Sequence, residues 1–346
     1  MASLAGPYGP VPREDNGAGG VVSEPGGSHA PVKAAPAGGL GSLQPEPIHA
    51  STPDAEKMAQ LLPTPASMSS QWQNFLCNLG EWRGSFASLD HAGAIRESTP
   101  SILSLEAHEE GRLVRFRLRR FGPEGESSTP IREMQEDYRS LGRQVMFFAN
   151  GSFGKGTLQV APGTAFGGEF GFVGDNRRHR LVQLHQTDGA FEQLVLIREF
   201  RSGSAAEERP PLELGQLEGR WQGTVAGISA DWPEPDHEAC QMEVALVGGE
   251  HLEISTSFGQ TSERWGGVIE GRQVRSLPVE GGGAEERLLL LPDGGYHLSP
   301  LKVSHRRAFR VEAGWLQGDD HLQRLIRQVD SSGAWQRTLW INLRRV

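Results

Sequence analysis

The chain has 346 residues, a hydrophobic content of 37% and a formal net charge of -9. At roughly 100–200 residues per domain this length holds two domains, and the acidic balance excludes a general nucleic-acid binder, which needs a basic surface. No apolar run is long enough to span a bilayer as a helix. The only cysteines, Cys77 and Cys240, form neither a disulfide framework nor a thiolate metal site, as expected of a reducing, cytoplasmic setting.

Residues 1–67 hold 11 of the 22 prolines and a single aromatic, Tyr8. So little apolar surface cannot offset the entropy of ordering, and a disordered tail is expected. It lacks the basic start and apolar core of a secretory signal. Either the segment is a dispensable tail or translation starts at Met68.

From Met68 the pattern changes. Trp72, Phe75, Leu76 and Leu79 share one helical face, so a short amphipathic helix is expected before "LGEWRGSF" at 79–86. "RLVRFRLRRF" at 112–121 sets Val114, Phe116 and Leu118 against Arg115, Arg117 and Arg119, the alternation of a half-buried strand with its arginines in water. "VMFFANGSFGKGTLQV" reads as a hairpin around Asn150-Gly151. Its Gly-rich core lacks the spacing of a phosphate-binding loop. Further strands are expected near 165–173, 180–186 and 192–200, with no βαβ alternation.

The second half repeats the first. "LEGRWQGTV" at 217–225 carries the same Gly-x-Trp-x-Gly as "LGEWRGSF". "RLVQLHQTDGAFEQLVLIREFR" (180–201) aligns without a gap on "RLIRQVDSSGAWQRTLWINLRR" (324–345), with Arg180/Arg324, Gly189/Gly333, Ile197/Ile341 and Arg201/Arg345 identical. A duplicated all-β domain follows: a first barrel over 68–201, a linker over 202–211 ending in two prolines, and a second barrel over 212–346. "GGVIEGRQVRSLPVEGGGAEE" makes the second copy look loop-rich. The expected fold is two tandem antiparallel up-and-down barrels, each led by a short helix.

A short helix, Gly-x-Trp on the first strand and arginine on the last resemble the calycin superfamily, the lipocalins and their relatives. "QWQNFLCNLGEWRGSF", "YRSLGR", "RLVQLHQTDG", "ERPPL" and "RLIRQVDSSGAW" are similar to a tandem two-barrel family of undefined function known mainly from cyanobacteria. Bilin lyases are more distantly similar. The resemblance implies that Trp82 and Trp221 each plug a barrel end, crossed by a late arginine: Arg198 or Arg201 in the first copy, Arg344 or Arg345 in the second. Asn342 stands where Arg198 does and leaves the second choice open.

No nucleophile elbow and no His-Glu-x-x-His is present. His179 and His185 have no third ligand nearby, and "QGDDHLQ" reads as an Asp-rich turn, so no metal site is expected. The expected function is non-catalytic binding of a small hydrophobic or amphipathic molecule in a barrel cavity, with a tetrapyrrole or related pigment favoured. The candidate ligand-binding residues are Trp82, Tyr138, Arg139, Arg198 and Trp221. No cofactor is required beyond such a bound ligand. The alternatives are a bilin-lyase-like transferase serving a pigment-carrying acceptor protein, and an interaction protein whose barrels are filled.

Overall fold

The computed structural model describes residues 70–231, 234–277 and 283–346; the expected disordered tail lies outside the described residues. Helix α1 (Ser70–Leu76) buries Trp72 and Phe75. Nine strands follow in the first copy: β1 (Gly80–Leu89), β2 (Ile95–His108), β3 (Leu113–Arg120), β4 (Arg132–Tyr138), β5 (Val145–Phe147), β6 (Phe153–Gly156), β7 (Phe166–Val173), β8 (Arg177–His185) and β9 (Phe191–Arg201). The second copy has ten: β10 (Gly219–Ser229), β11 (Asp236–Val247), β12 (His251–Phe258), β13 (Thr261–Glu270), β14 (Gln273–Ser276), β15 (Glu286–Leu290), β16 (Gly295–Pro300), β17 (Phe309–Leu316), β18 (His321–Val329) and β19 (Trp335–Arg345).

The fold is all-β and duplicated, as expected, but the copies differ in closure. Strands β10 to β19 pair in order into a closed barrel, whereas the first sheet runs β4-β3-β2-β1-β9-β8-β7-β6-β5 and is left open between β4 and β5. The reason is one strand. In the second copy β14 pairs with both β13 and β15, while residues 139–144 of the first copy join β4 to β5 without forming a strand. The stretch that looked loop-rich therefore supplies the closing strand. On the open side α1 partly replaces it: the Gln71 amide accepts from the Phe147 N–H at 2.8 Å and donates to its carbonyl at 3.0 Å. Among the described residues of the second copy there is no such helix; a 3-10 turn, Leu214–Gln216, stands in its place.

The Gly-x-Trp-x-Gly motif now has a mechanical reading. Gly80 and Gly219 take φ of 124° and 116°, a region that favours glycine. Trp82 and Trp221 are fully buried and donate from Nε1 to the carbonyls of Asn78 and Leu217, each at 2.9 Å. A Cβ on Gly84 would lie 1.8 Å from the Arg198 carbonyl oxygen, and on Gly223 it would lie 1.9 Å from that of Asn342. The closing strand of each copy, β9 or β19, can approach β1 or β10 only across a glycine.

The copies join along a seam with reciprocal stitching. Val160 donates to Gly333 and Trp335 to Leu158; symmetrically, Val303 donates to Gly189 and Phe191 to Leu301. Each copy's last hairpin is thus hydrogen-bonded into the other copy. One apolar core spans the seam, with Phe166, Phe170 and Leu181 on one side and Val311, Trp315 and Leu325 on the other. A second core fills the closed barrel around Trp221, Phe258 and Ile341.

Because the clash at these glycines is with backbone, no rotamer relieves it. Gly84→Ala and Gly223→Ala should each lower unfolding free energy by about 3 kcal/mol or more, read from urea titrations of the single variants.

Candidate functional site

The candidate residues read from the sequence do not converge. Trp82 and Trp221 lie in separate barrels, and each is crossed by the last arginine of its copy: Arg201 over Trp82 and Arg345 over Trp221, both at 4.3 Å to the ring centroid. This corrects the expectation in which Arg198 and Arg344 were equal candidates. Strand parity decides it, since Trp82 pairs with Arg201 whereas Arg198 pairs with Ser85 on the opposite face. Arg198 instead donates to Ser85 and to Glu208 of the linker. Asn342, its counterpart, contacts His321 at 2.6 Å and has no part in the stacking. Tyr138 packs edge-on to Phe75 and Phe116 and donates to Glu136. Arg139 forms an exposed bidentate pair with Glu109 at 2.5 Å. Arg115 and Arg117 point outward to Asp137 and Glu133, as the alternation required.

Both barrels carry a buried Arg–Glu pair at matching positions. Arg324 binds Glu312 through two hydrogen bonds of 2.8 and 3.1 Å, Tyr296 donates to Glu312 at 2.6 Å, and Arg324 also reaches Thr256. In the first copy Arg180 binds Glu199 at 2.7 and 3.0 Å and Glu169 at 2.9 Å. Burial alone would raise the Glu312 and Glu199 pKa values, but the adjacent guanidinium groups override it and hold both carboxylates ionised. Satisfied pairs of this kind specify packing more than they add stability. Together with Trp221, Phe258 and Tyr296, the Arg324–Glu312 pair fills the closed barrel.

The seam is polar at chosen points. Asp293, fully buried with φ of 60°, accepts from Arg177 at 2.5 Å, His179 at 3.1 Å and the Arg209 N–H at 2.9 Å, so one carboxylate ties strand β8 and the linker to the second copy. Burial would raise its pKa; His179 and Arg177 lower it to about 2. His179 stacks on Trp315 with centroids 5.5 Å apart. Deeper in the seam His297 hydrogen-bonds Gln183, and His185 meets the Pro300 carbonyl at 3.1 Å. Burial keeps both imidazoles neutral, with His185 lowered to about 4.

Two clefts open on the seam, and neither is inside a barrel. One, about 590 Å³, lies by the 187–189 and 301–307 turns. The other, about 870 Å³, is walled by Trp315 and Trp340 and rimmed by Arg177, Arg209 and Arg344 together with Asp175, Glu207 and Asp320. Its inner amides are already locked: Gln323 accepts from Trp340 at 2.7 Å, from Ser152 at 3.1 Å and from Asn150 at 3.2 Å, and donates to the Val173 carbonyl at 3.1 Å. Sequence reasoning missed this cleft. Its walls come from turns and outward strand faces of both copies, and only their docking brings them together.

A model of the N-terminal part of a domain of unknown function, DUF3598, matches residues 68–204. A model of the C-terminal domain of biogenesis factor required for ATP synthase 1 matches residues 208–346. The crystal structure of a DUF3598 protein of unknown function from Nostoc punctiforme PCC 73102 is 38% identical, covers 81% of this chain and 100% of its own, and has a TM-score of 0.74. The chain belongs to the DUF3598 family. An S-type phycobiliprotein lyase from Guillardia theta also matches, at 13% identity and a TM-score of 0.32, over 38% of this chain and 90% of its own. No curated protein matches the chain. Among the described residues of this DUF3598 chain, no helix is long and apolar enough to cross a membrane.

The buried histidines make a signed pH prediction. His185 is neutral when folded and titrates near 6.5 when unfolded, so its contribution is complete above that value and is lost as pH falls toward about 4. Unfolding free energy should drop by about 2 kcal/mol between pH 7.5 and pH 5 from this residue, and His185→Gln should flatten that slope in denaturant titrations.

Proposed function

We propose that the chain is a non-catalytic binding protein for a small amphipathic molecule, held in the larger seam cleft rather than within a barrel. The observation that carries this is the cleft of about 870 Å³ with two tryptophans in its wall and three arginines at its rim. Volume, aromatic walls, a few convergent polar groups and a position between two packed copies are the usual attributes of a small-molecule site. Trp340 is half-buried and oriented by Gln323, so a planar ligand meets a fixed ring. Arginine favours carboxylates at the edge of such a ligand. A tetrapyrrole, flat and carrying acidic side groups, has this chemistry and is the first candidate.

A second reading rests on the match of residues 208–346 to the model named for a biogenesis factor required for ATP synthase. In it the filled barrel is a rigid protein-binding surface, and the chain serves the biogenesis of such a complex.

The chain purified gently from a pigment-producing host should show visible absorption and one added ligand mass per chain by native mass spectrometry. Trp340→Ala should weaken that binding about tenfold, the loss of one stacking contact. Bare mass after soaking with bilins and other tetrapyrroles would overturn the pigment reading. Co-purification of ATP synthase subunits with that bare chain would select the second.

A further inference from the structure

A buried guanidinium with two unpartnered nitrogens stands at the open side of the first barrel. Arg120 ends β3 on the inward face, the face of Phe116 and Leu118. It is 7% exposed, yet neither its Nε nor its Nη1 has a hydrogen-bond partner. Its guanidinium lies 5.0 Å from the Phe86 ring centroid. Arg180 approaches the same ring at 5.8 Å but is neutralised by Glu169 and Glu199. Two cations meet one ring, and only one has its counter-ion.

The duplication supplies the control. Trp82, Leu103, Leu118 and Met134 lie side by side across β1 to β4, as Trp221, Met242, Thr256 and Glu263 do across β10 to β13. Two residues further along the third strand, Arg120 faces Ser101 where Phe258 faces Cys240. Phe258 is 6% exposed, as buried as Arg120. This place in the fold therefore accepts an apolar side chain, and packing does not call for a charge there. An unpaired buried guanidinium is costly and calls for an explanation, and a bound anion is one that would supply the missing partner.

The surroundings favour an anion. β4 is the terminal strand, its residues exposed or half-buried on both faces, so the inward face at this point borders the opening. Arg132 sits directly across from Arg120 and is exposed. Glu97, an acid on the same face of β2 whose charge acts on Arg120, is exposed and forms an ion pair with neither arginine. Burial, with Arg132 beside it, lowers the Arg120 pKa.

We propose that the open mouth of the first barrel binds the carboxylate of a small amphipathic acid, with Arg120 as the buried anchor, Arg132 as the outer cation, and Phe86 and Met134 under the apolar part. A single buried cation matches a monoanion, whereas a phosphate dianion would bring uncompensated charge into an apolar mouth. This site lies on the inner face of the first sheet and is separate from the seam cleft.

The test is calorimetric titration of the full chain with dodecanoate, using dodecanol as the uncharged control. Dodecanoate should bind the natural chain and dodecanol should not. Arg120→Met, the nearest apolar shape, should weaken dodecanoate at least tenfold while raising the unfolding temperature of the ligand-free chain. Should that variant fail to fold, Arg120→Gln gives the same loss of affinity with the polar shape retained. Arg117→Gln, which removes an exposed charge on the outward face of the same strand, should leave dodecanoate affinity unchanged. Binding that is absent in the natural chain, equal for dodecanol, or insensitive to removal of the Arg120 charge overturns the proposal. So does a lowered unfolding temperature with unchanged affinity, which would make Arg120 a packing residue.

Discussion

The structure depends on strands that are buried on both faces. β8 and β18 each line a barrel interior on one side and the seam on the other, and β8 is buried along most of its length. Its sequence, RRHRLVQLH, would suit a solvated edge. A strand with that composition can be buried twice because most of its charged and polar side chains have at least one partner. Glu199 and Glu169 answer the inward arginines, Asp293 answers Arg177 and His179, and the Pro300 carbonyl answers His185. Position 327, the counterpart of Gln183, follows the same rule without any carboxylate. Its arginine is fully buried and donates to the Gly156 and Thr157 carbonyls while lying over Trp335. Burial lowers its pKa to about 9.

Fold class and duplication were legible because they rest on local chemistry. The glycines that admit a neighbouring strand, the Asn150-Gly151 turn and the outward arginines of β3 each follow from one residue type in one backbone setting. Closure was not legible, because it turns on whether a four-residue segment, Gln273–Ser276, finds edges to pair with. Glycine-rich flanks hid that strand, and the short 139–144 connection gave no sign that its copy would stay open. The choice between Arg198 and Arg201 was open to strand parity, but only once the register with β1 was known.

The functional surface was less legible still. Trp340 and Gln323 look like ordinary strand residues, and only the docking of two copies makes them walls of one cleft. Arg120 was legible in part: the alternation that puts Arg115, Arg117 and Arg119 in water puts position 120 on the apolar face, but nothing in RFRLRR shows that its charge would go unpaired. Three of the four do face outward. The fourth falls on the other side of the pleat, where a single step in register changes a surface charge into a buried one.

The reciprocal hairpins have a consequence for how such a protein can diversify. Two identical barrels clasping each other across a twofold axis must change together, since every substitution occurs twice. Joining them in one chain removes that constraint while keeping the clasp. One barrel is then free to lose a strand and hold an unpaired cation at its mouth, while the other stays sealed and braces it. The asymmetry between an open and a filled copy is one that covalent linkage permits and a symmetric pair does not.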